Sequence, residues 1–126
     1  MNKKILVVDD NSEIVDLLKN RLEFNHFDVI TTMEGPEVLQ KVKETSPDLV
    51  LMDIMMPHMD GDEVAKNLRK EGLKVPVIFV TAHLTTEHGD LARRGILINN
   101  ERFGVIGKPI NPKELLDKIN QELGVC

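Results

Sequence analysis

Five polar side chains in this 126-residue sequence each close a short apolar run, and their types suit one kind of chemistry. Asp9 and Asp10 follow Ile5-Leu6-Val7-Val8, and Asp53 follows Leu49-Val50-Leu51-Met52. Thr81 ends the run through Val80, and Lys108 follows Val105-Ile106. If these runs are neighbouring strands, all five side chains meet on one sheet edge. Three carboxylates that close repel one another, and each would have its pKa raised without compensation. A hard divalent cation relieves the repulsion. Mg²⁺ is the natural choice, because it binds through a few carboxylates and waters and leaves positions open for phosphoryl oxygens. Lys108 adds a point charge and Thr81 a hydroxyl, both suited to the oxygens of a phosphoryl group in transfer. Asp53 is then the group best placed to attack phosphorus.

The elements that must position these residues are legible in the same sequence. Lys3 to Val8 predicts a strand, since it is short and rich in β-branched residues. Asn11-Ser12 supplies cap chemistry for a first helix, with Ile14, Leu17, Leu18 and Leu22 on one face. Phe27 to Thr32 is a second strand. Gly35-Pro36 opens a second helix, with Val38, Leu39 and Val42 apolar, and Ser46-Pro47 stops it. Asp48 to Asp53 is the third strand, followed by a Pro/Gly-punctuated loop. A third helix spans Gly61 to Lys70, with Val64, Ala65 and Leu68 inward, and Glu71-Gly72 closes it. Val75 to Val80 is a fourth strand, Thr85 to Arg94 a polar fourth helix, and Val105-Ile106 a short fifth strand. Asn111-Pro112 starts the last helix, which runs to about Leu123 and ends at Gly124.

The strands are apolar throughout rather than alternating, which is the pattern of a parallel sheet covered on both faces. The expectation is an α/β fold: a doubly wound, flavodoxin-like sheet of five parallel strands in the order 2-1-3-4-5, with five helices. In such a sheet, ligands bind at the carboxyl edge of the strands, where the five polar residues sit.

Composition narrows the class. The length suits one domain over residues 1–126. Apolar residues make up 41% and charged residues 29%, as in ordinary soluble domains. A net charge of −5 and only four aromatic residues, all Phe, argue against direct nucleic-acid binding. No apolar run approaches the roughly 18 residues that span a bilayer, and the N-terminus lacks the features of a signal peptide. The single Cys126 offers no disulfide framework, which suits a cytoplasmic location.

Taken together, Asp9-Asp10, Asp53-Ile-Met-Met-Pro-His-Met-Asp-Gly61, Thr81-Ala82 and Lys108-Pro109 strongly resemble the receiver domain of two-component response regulators. The resemblance covers nearly the whole chain, with its motifs in order. It implies that Asp53 is the phosphoacceptor, loaded by a sensor histidine kinase, a phosphotransfer protein or a small phosphodonor. It implies a Mg²⁺ site formed by Asp9, Asp10, Asp53 and the Met55 backbone carbonyl, with Thr81 and Lys108 contacting the phosphoryl group. It implies a cis Lys108–Pro109 bond, a downstream effector partner, and a signal carrier that assists its own phosphorylation and dephosphorylation rather than a turnover enzyme. Met55 and His83 border the phosphoryl site in that family and would govern water access.

Two features depart from the family pattern. Three residues before its lysine the family usually carries an aromatic that couples to the threonine; here that position is Val105. The nearest aromatic, Phe103, would share a strand face with it. The segment Gly95 to Arg102 is also longer than usual. Both departures fall on the face formed by the fourth helix, fifth strand and fifth helix, the family's common output surface. They leave room for a degenerate receiver that acts only as a phosphorylation-independent interaction module.

Two other classes fit less well. A phosphohydrolase with an aspartyl-phosphate intermediate would want an acid/base Asp at position 55, which is Met. A flavodoxin-like nucleotide module would want a Ser/Thr/Gly-rich loop after strand one, where Asp9-Asp10 repels phosphate. Met52, Met55, Met56 and Met59 otherwise read as packing and loop filler. His83 and His88 are not spaced as zinc ligands on a helix, His26 and His58 read as surface, and Arg93-Arg94 as a partner contact.

Overall fold

The computed structural model describes residues 2–56, 59–81, 95–107 and 110–124. The strands are β1 (Lys4–Val8), β2 (Asp28–Thr32), β3 (Leu49–Asp53), β4 (Met55–Met56), β5 (Met59–Asp60), β6 (Val77–Thr81), β7 (Ile96–Ile98) and β8 (Glu101–Gly107). The helices are α1 (Ser12–Phe24), α2 (Val38–Thr45), α3 (Gly61–Lys70) and α4 (Pro112–Leu123), and a 3₁₀ turn over Gly35–Glu37 leads into α2. The predicted helix over 85–94 lies outside the described residues.

Main-chain pairing gives the sheet order β2-β1-β3-β6-β8-β7. The first five strands are parallel and reproduce the expected order 2-1-3-4-5. Within one strand, alternate residues enter different cores, which explains why the runs are apolar throughout. Leu6 and Val8 of β1 pack with Val38 and Val42 of α2 and Val64, Ala65 and Leu68 of α3. Ile5 and Val7 pack on the other face with Leu18 and Leu22 of α1 and Leu115 and Ile119 of α4. Each such side chain, fully buried, contributes roughly 1.5–3 kcal/mol.

Helix ends follow the sequence closely. Asn11 caps α1, its side-chain oxygen accepting from the Glu13 and Ile14 amides at 2.9 and 3.3 Å. Asn111 does the same for α4 through the Lys113 and Glu114 amides. Gly72 and Gly124 stand in the left-handed region just beyond α3 and α4.

Three expectations need correction. On α1 the inward residues are Val15, Leu18 and Leu22, while Leu17 is 49% exposed. The stripe is therefore set one position away from Leu17. The loop after Asp53 is partly regular, since β4 and β5 pair antiparallel, Met55 with Asp60 and Met56 with Met59.

The largest correction concerns the long segment before the fifth strand. It is a hairpin, in which β7 pairs antiparallel with β8, Ile96 opposite Phe103 and Ile98 opposite Glu101. The fifth strand is consequently seven residues long rather than two, and the sheet has six strands among the described residues. Asn99 and Asn100 both have positive φ, at 49° and 67°, as the two-residue turn of a hairpin with the native twist requires. Gly95, at φ 72°, is fixed by crowding, because a Cβ there would lie 2.2 Å from the Phe103 carbonyl oxygen.

Candidate functional site

Strand register brings the acidic residues together. Val8 pairs with Met52 across β1 and β3, so the next residues, Asp9 and Asp53, stand side by side at the carboxyl edge. Asp53 in turn pairs with Val80 on β6, one residue before Thr81, and Thr81 lies opposite Gly107 of β8. Asp9, Asp53 and Thr81 are buried, at 1%, 8% and 4% exposure, whereas Asp10 is exposed. One oxygen from each of Asp9, Asp10 and Asp53 can be chosen so that all three lie within 4.8 Å of one another.

The donor set fits a hard cation. All three groups are carboxylate oxygens, and Mg²⁺ holds its ligands at about 2.0–2.1 Å. Three ligands of one such ion would stand closer together than 4.8 Å, so the carboxylates would draw together on binding.

The backbone around these carboxylates is closely held. The Asp9 amide donates to the Thr32 carbonyl at 3.3 Å, and the Asp9 carboxylate accepts from the Asn11 amide at 3.0 Å. The same Thr32 donates its hydroxyl proton to Glu37 and accepts from the Glu34 amide, closing the end of β2 against the 3₁₀ turn. After Asp53, the Ile54 amide donates to the Val80 carbonyl at 3.1 Å, and the Gly61 amide donates to the Ile54 carbonyl at 2.8 Å.

Gly61 is a positioning residue the sequence reading did not single out for this role. A Cβ on it would lie 2.9 Å from the Ile54 Cα, 3.0 Å from the Asp53 carbonyl oxygen and 3.1 Å from the Phe79 ring. Only glycine lets the first turn of α3 approach the Asp53 backbone this closely. The available signal was a glycine opening the predicted third helix right after the motif that begins at Asp53.

Met55 lies on β4, two residues beyond Asp53. Lys108, Pro109, Ala82, His83, His88, Arg93, Arg94 and His58 lie outside the described residues. Val105 is fully buried opposite Phe79 on β6. Phe103 is buried on the same face as Val105, as the strand alternation requires.

Comparison with known proteins agrees with this topology. Residues 5–120 match the family model of the response regulator receiver domain. A probable transcriptional regulator, ycf27, of Cyanophora paradoxa is 40% identical over 123 residues, covering 96% of this chain and 48% of that protein. The alkaline phosphatase synthesis transcriptional regulatory protein PhoP of Bacillus subtilis is 50% identical over 82 residues, 65% of this chain and 34% of that one. This chain thus spans about a third to a half of the curated relatives it matches.

Among solved structures, the receiver domain of the Francisella response regulator 1452 superposes with a TM-score of 0.81 at 29% identity, with 98% of each chain covered. A CheY-like receiver domain protein of Methanospirillum hungatei gives 0.79 at 32% identity, covering 98% of this chain and 95% of that one. The helix-covered parallel sheet, the carboxylates gathered at its edge and a family match spanning residues 5–120 lead to one assignment: this chain belongs to the response regulator receiver domain family of two-component systems.

Proposed function

We propose that this domain is a Mg²⁺-dependent phosphoacceptor switch that takes a phosphoryl group on Asp53. The observation that carries the reading is the gathering of Asp9, Asp10 and Asp53 within 4.8 Å at the edge where the family's chemistry is expected. A carboxylate oxygen of Asp53 attacks phosphorus as the bond to the donor breaks. With a phosphohistidine donor, the P–N bond is lost and the imidazole leaves. Asp9, Asp10, Asp53 and the Met55 carbonyl are the groups that would hold the metal. When bound, Mg²⁺ supplies positive charge to the phosphoryl oxygens. Thr81, buried at the end of β6, offers a hydroxyl to the same group, and Lys108 follows β8 in sequence with a matching cation. Water later hydrolyses the acyl phosphate and returns Asp53 to its free form.

In this reading the domain is a signal carrier rather than a turnover enzyme. Its donor is a sensor histidine kinase or phosphotransfer protein, and its output goes to an effector protein or domain. Relatives named as transcriptional regulators support a regulatory output. A cytoplasmic location suits this role, and no helix among the described residues is long and apolar enough to cross a membrane.

Intact-protein mass spectrometry after incubation with acetyl phosphate tests the reading. A single phosphoryl addition that requires Mg²⁺ and is lost in Asp53→Asn is the expected result. Label persisting in Asp53→Asn overturns the site. Absence of label under conditions where another receiver labels favours the phosphorylation-independent interaction module. Lys108→Ala and Thr81→Ala are expected to retain labelling and to lose most of the conformational response.

A further inference from the structure

We propose that Arg69 ties the β7–β8 hairpin to the phosphoacceptor loop, so that loading the acidic edge tightens the hairpin. The proposal rests on the phosphoacceptor reading above and names the element through which that site is read out. In this chain Val105 stands where the resemblance would place an aromatic, and Phe103 on the same strand face makes the ring contact instead.

Those contacts run unbroken from Asp53 to the hairpin. The Asp53 carbonyl and the Ile54 backbone press against Gly61 so closely that a Cβ there would stand 3.0 and 2.9 Å from them. The same point lies 3.1 Å from the Phe79 ring, which therefore rests directly on Gly61. Phe79 meets Phe103 of β8 edge-on, with centroids 5.6 Å apart. Arg69, on the last turn of α3, covers the Phe103 ring with its guanidinium carbon 5.2 Å from the centroid.

Arg69 is itself fixed from two further directions. Its Nε and Nη2 donate to both carboxylate oxygens of Glu101 at 2.8 and 3.0 Å, and its Nη1 donates to the Leu73 carbonyl at 2.8 Å. A bidentate guanidinium–carboxylate pair fixes geometry as well as distance. One side chain thus holds the turn end of the hairpin, the Phe103 ring and the C-terminal end of α3.

The hairpin stands at the sheet-edge end of this network. It joins the sheet through β8 alone, β7 is three residues long, and Leu97 on it is 57% exposed. Ile98 and Phe103 anchor the hairpin in the core, but β7 is paired on one side only, and such an edge strand opens more readily than a strand paired on both sides. A ligand that holds Asp53 also holds the Ile54 and Gly61 backbone packed on it, which restricts Phe79 and then Phe103 and lowers the entropy lost on closing the hairpin. The linkage is reciprocal, so a tighter hairpin also favours the loaded site. Arg69 acts here as a positioning residue.

Amide hydrogen exchange on the whole chain, with and without Mg²⁺ and beryllofluoride as a stand-in for the phosphoryl group, tests the linkage. In wild type, exchange should slow at Leu51–Gly61, reporting occupation of the site, and by about fivefold or more at Ile96–Phe103. In Arg69→Met, which keeps the stem on Phe103, and in Glu101→Gln, the response at Leu51–Gly61 should persist while that of the hairpin falls below about twofold. Protection at Leu51–Gly61 with unchanged or faster exchange in the wild-type hairpin overturns the linkage alone. A full hairpin response in both variants removes Arg69 from it. No response at either segment overturns the linkage and the phosphoacceptor reading together.

Discussion

The ring of Phe103 meets that of Phe79 edge-on, their planes at 73°, and so a residue of the extra hairpin packs against the strand that ends in Thr81. Val105, two residues further along β8, is too short to make such a contact and lies fully buried on the same face.

Truncating this pair should be severe. Phe103→Ala removes a buried ring and its aromatic partner contact and is expected to lower stability by about 3–5 kcal/mol. Val105→Tyr, which places a large side chain at a fully buried position, should destabilise by about 1–3 kcal/mol. Urea denaturation monitored by circular dichroism checks both. A near-neutral Val105→Tyr would show that the site has room for the ring.

Gly61→Ala is expected to act on the site and on stability together. The new methyl meets the Ile54 and Asp53 backbone, atoms that cannot move aside, and the strain should amount to about 1–3 kcal/mol. Because those atoms carry Asp53, acetyl-phosphate labelling should slow as well. Gly72→Ala is the control: its Cβ meets nothing within 4 Å, and only the positive φ opposes it. It should lower stability by about 1–2 kcal/mol with no change in labelling rate.

The hairpin turn offers a gain. Asn99 and Asn100 occupy left-handed backbone that glycine adopts without a Cβ penalty. Asn100→Gly matches the favoured two-residue turn and should raise stability by a few tenths of a kcal/mol. Gly95→Ala should instead displace the hairpin, since its methyl would overlap the Phe103 carbonyl. Thermal melts of the two variants should move in opposite directions.

Metal dependence follows from the carboxylate cluster. Mg²⁺ at about a hundredfold above its dissociation constant should stabilise the wild-type domain by about 2.7 kcal/mol. Asp9→Asn or Asp53→Asn removes a ligand and a negative charge and should lose most of that gain. Melting curves with Mg²⁺ and with EDTA make the comparison.

Glu71 accepts from Lys43 at 2.8 Å, joining the end of α3 to α2, and this bond, with the Lys43 charge, holds its carboxyl below the ordinary glutamate value. A carboxyl held low in the folded state adds stability above its unfolded pKa and loses it as pH falls through the folded one. Lys43→Met should return the Glu71 titration, followed by NMR, toward the ordinary value and remove this small acid-range dependence. Both groups are solvent-exposed, so added salt should shrink the shift.

What the sequence determined by itself was the part governed by local rules. Apolar runs marked the core strands, and Asn11, Asn111, Gly72 and Gly124 marked helix ends, because caps and left-handed positions depend on the residue in place. The ordered motifs also placed Asp9, Asp10, Asp53 and Thr81 on one edge, since parallel strand order carries residue order with it. The hairpin was readable in principle from Ile96-Leu97-Ile98, Asn99-Asn100 and the run into Phe103, but its turn lacks the usual glycine. Only the tertiary structure decided the closeness of Gly61 to Asp53, the edge-on meeting of Phe103 and Phe79, and the reach of Arg69 to Glu101, 32 residues away. Those contacts join segments distant in the chain, and their geometry is fixed by how α3 and the hairpin pack on the sheet rather than by any local preference.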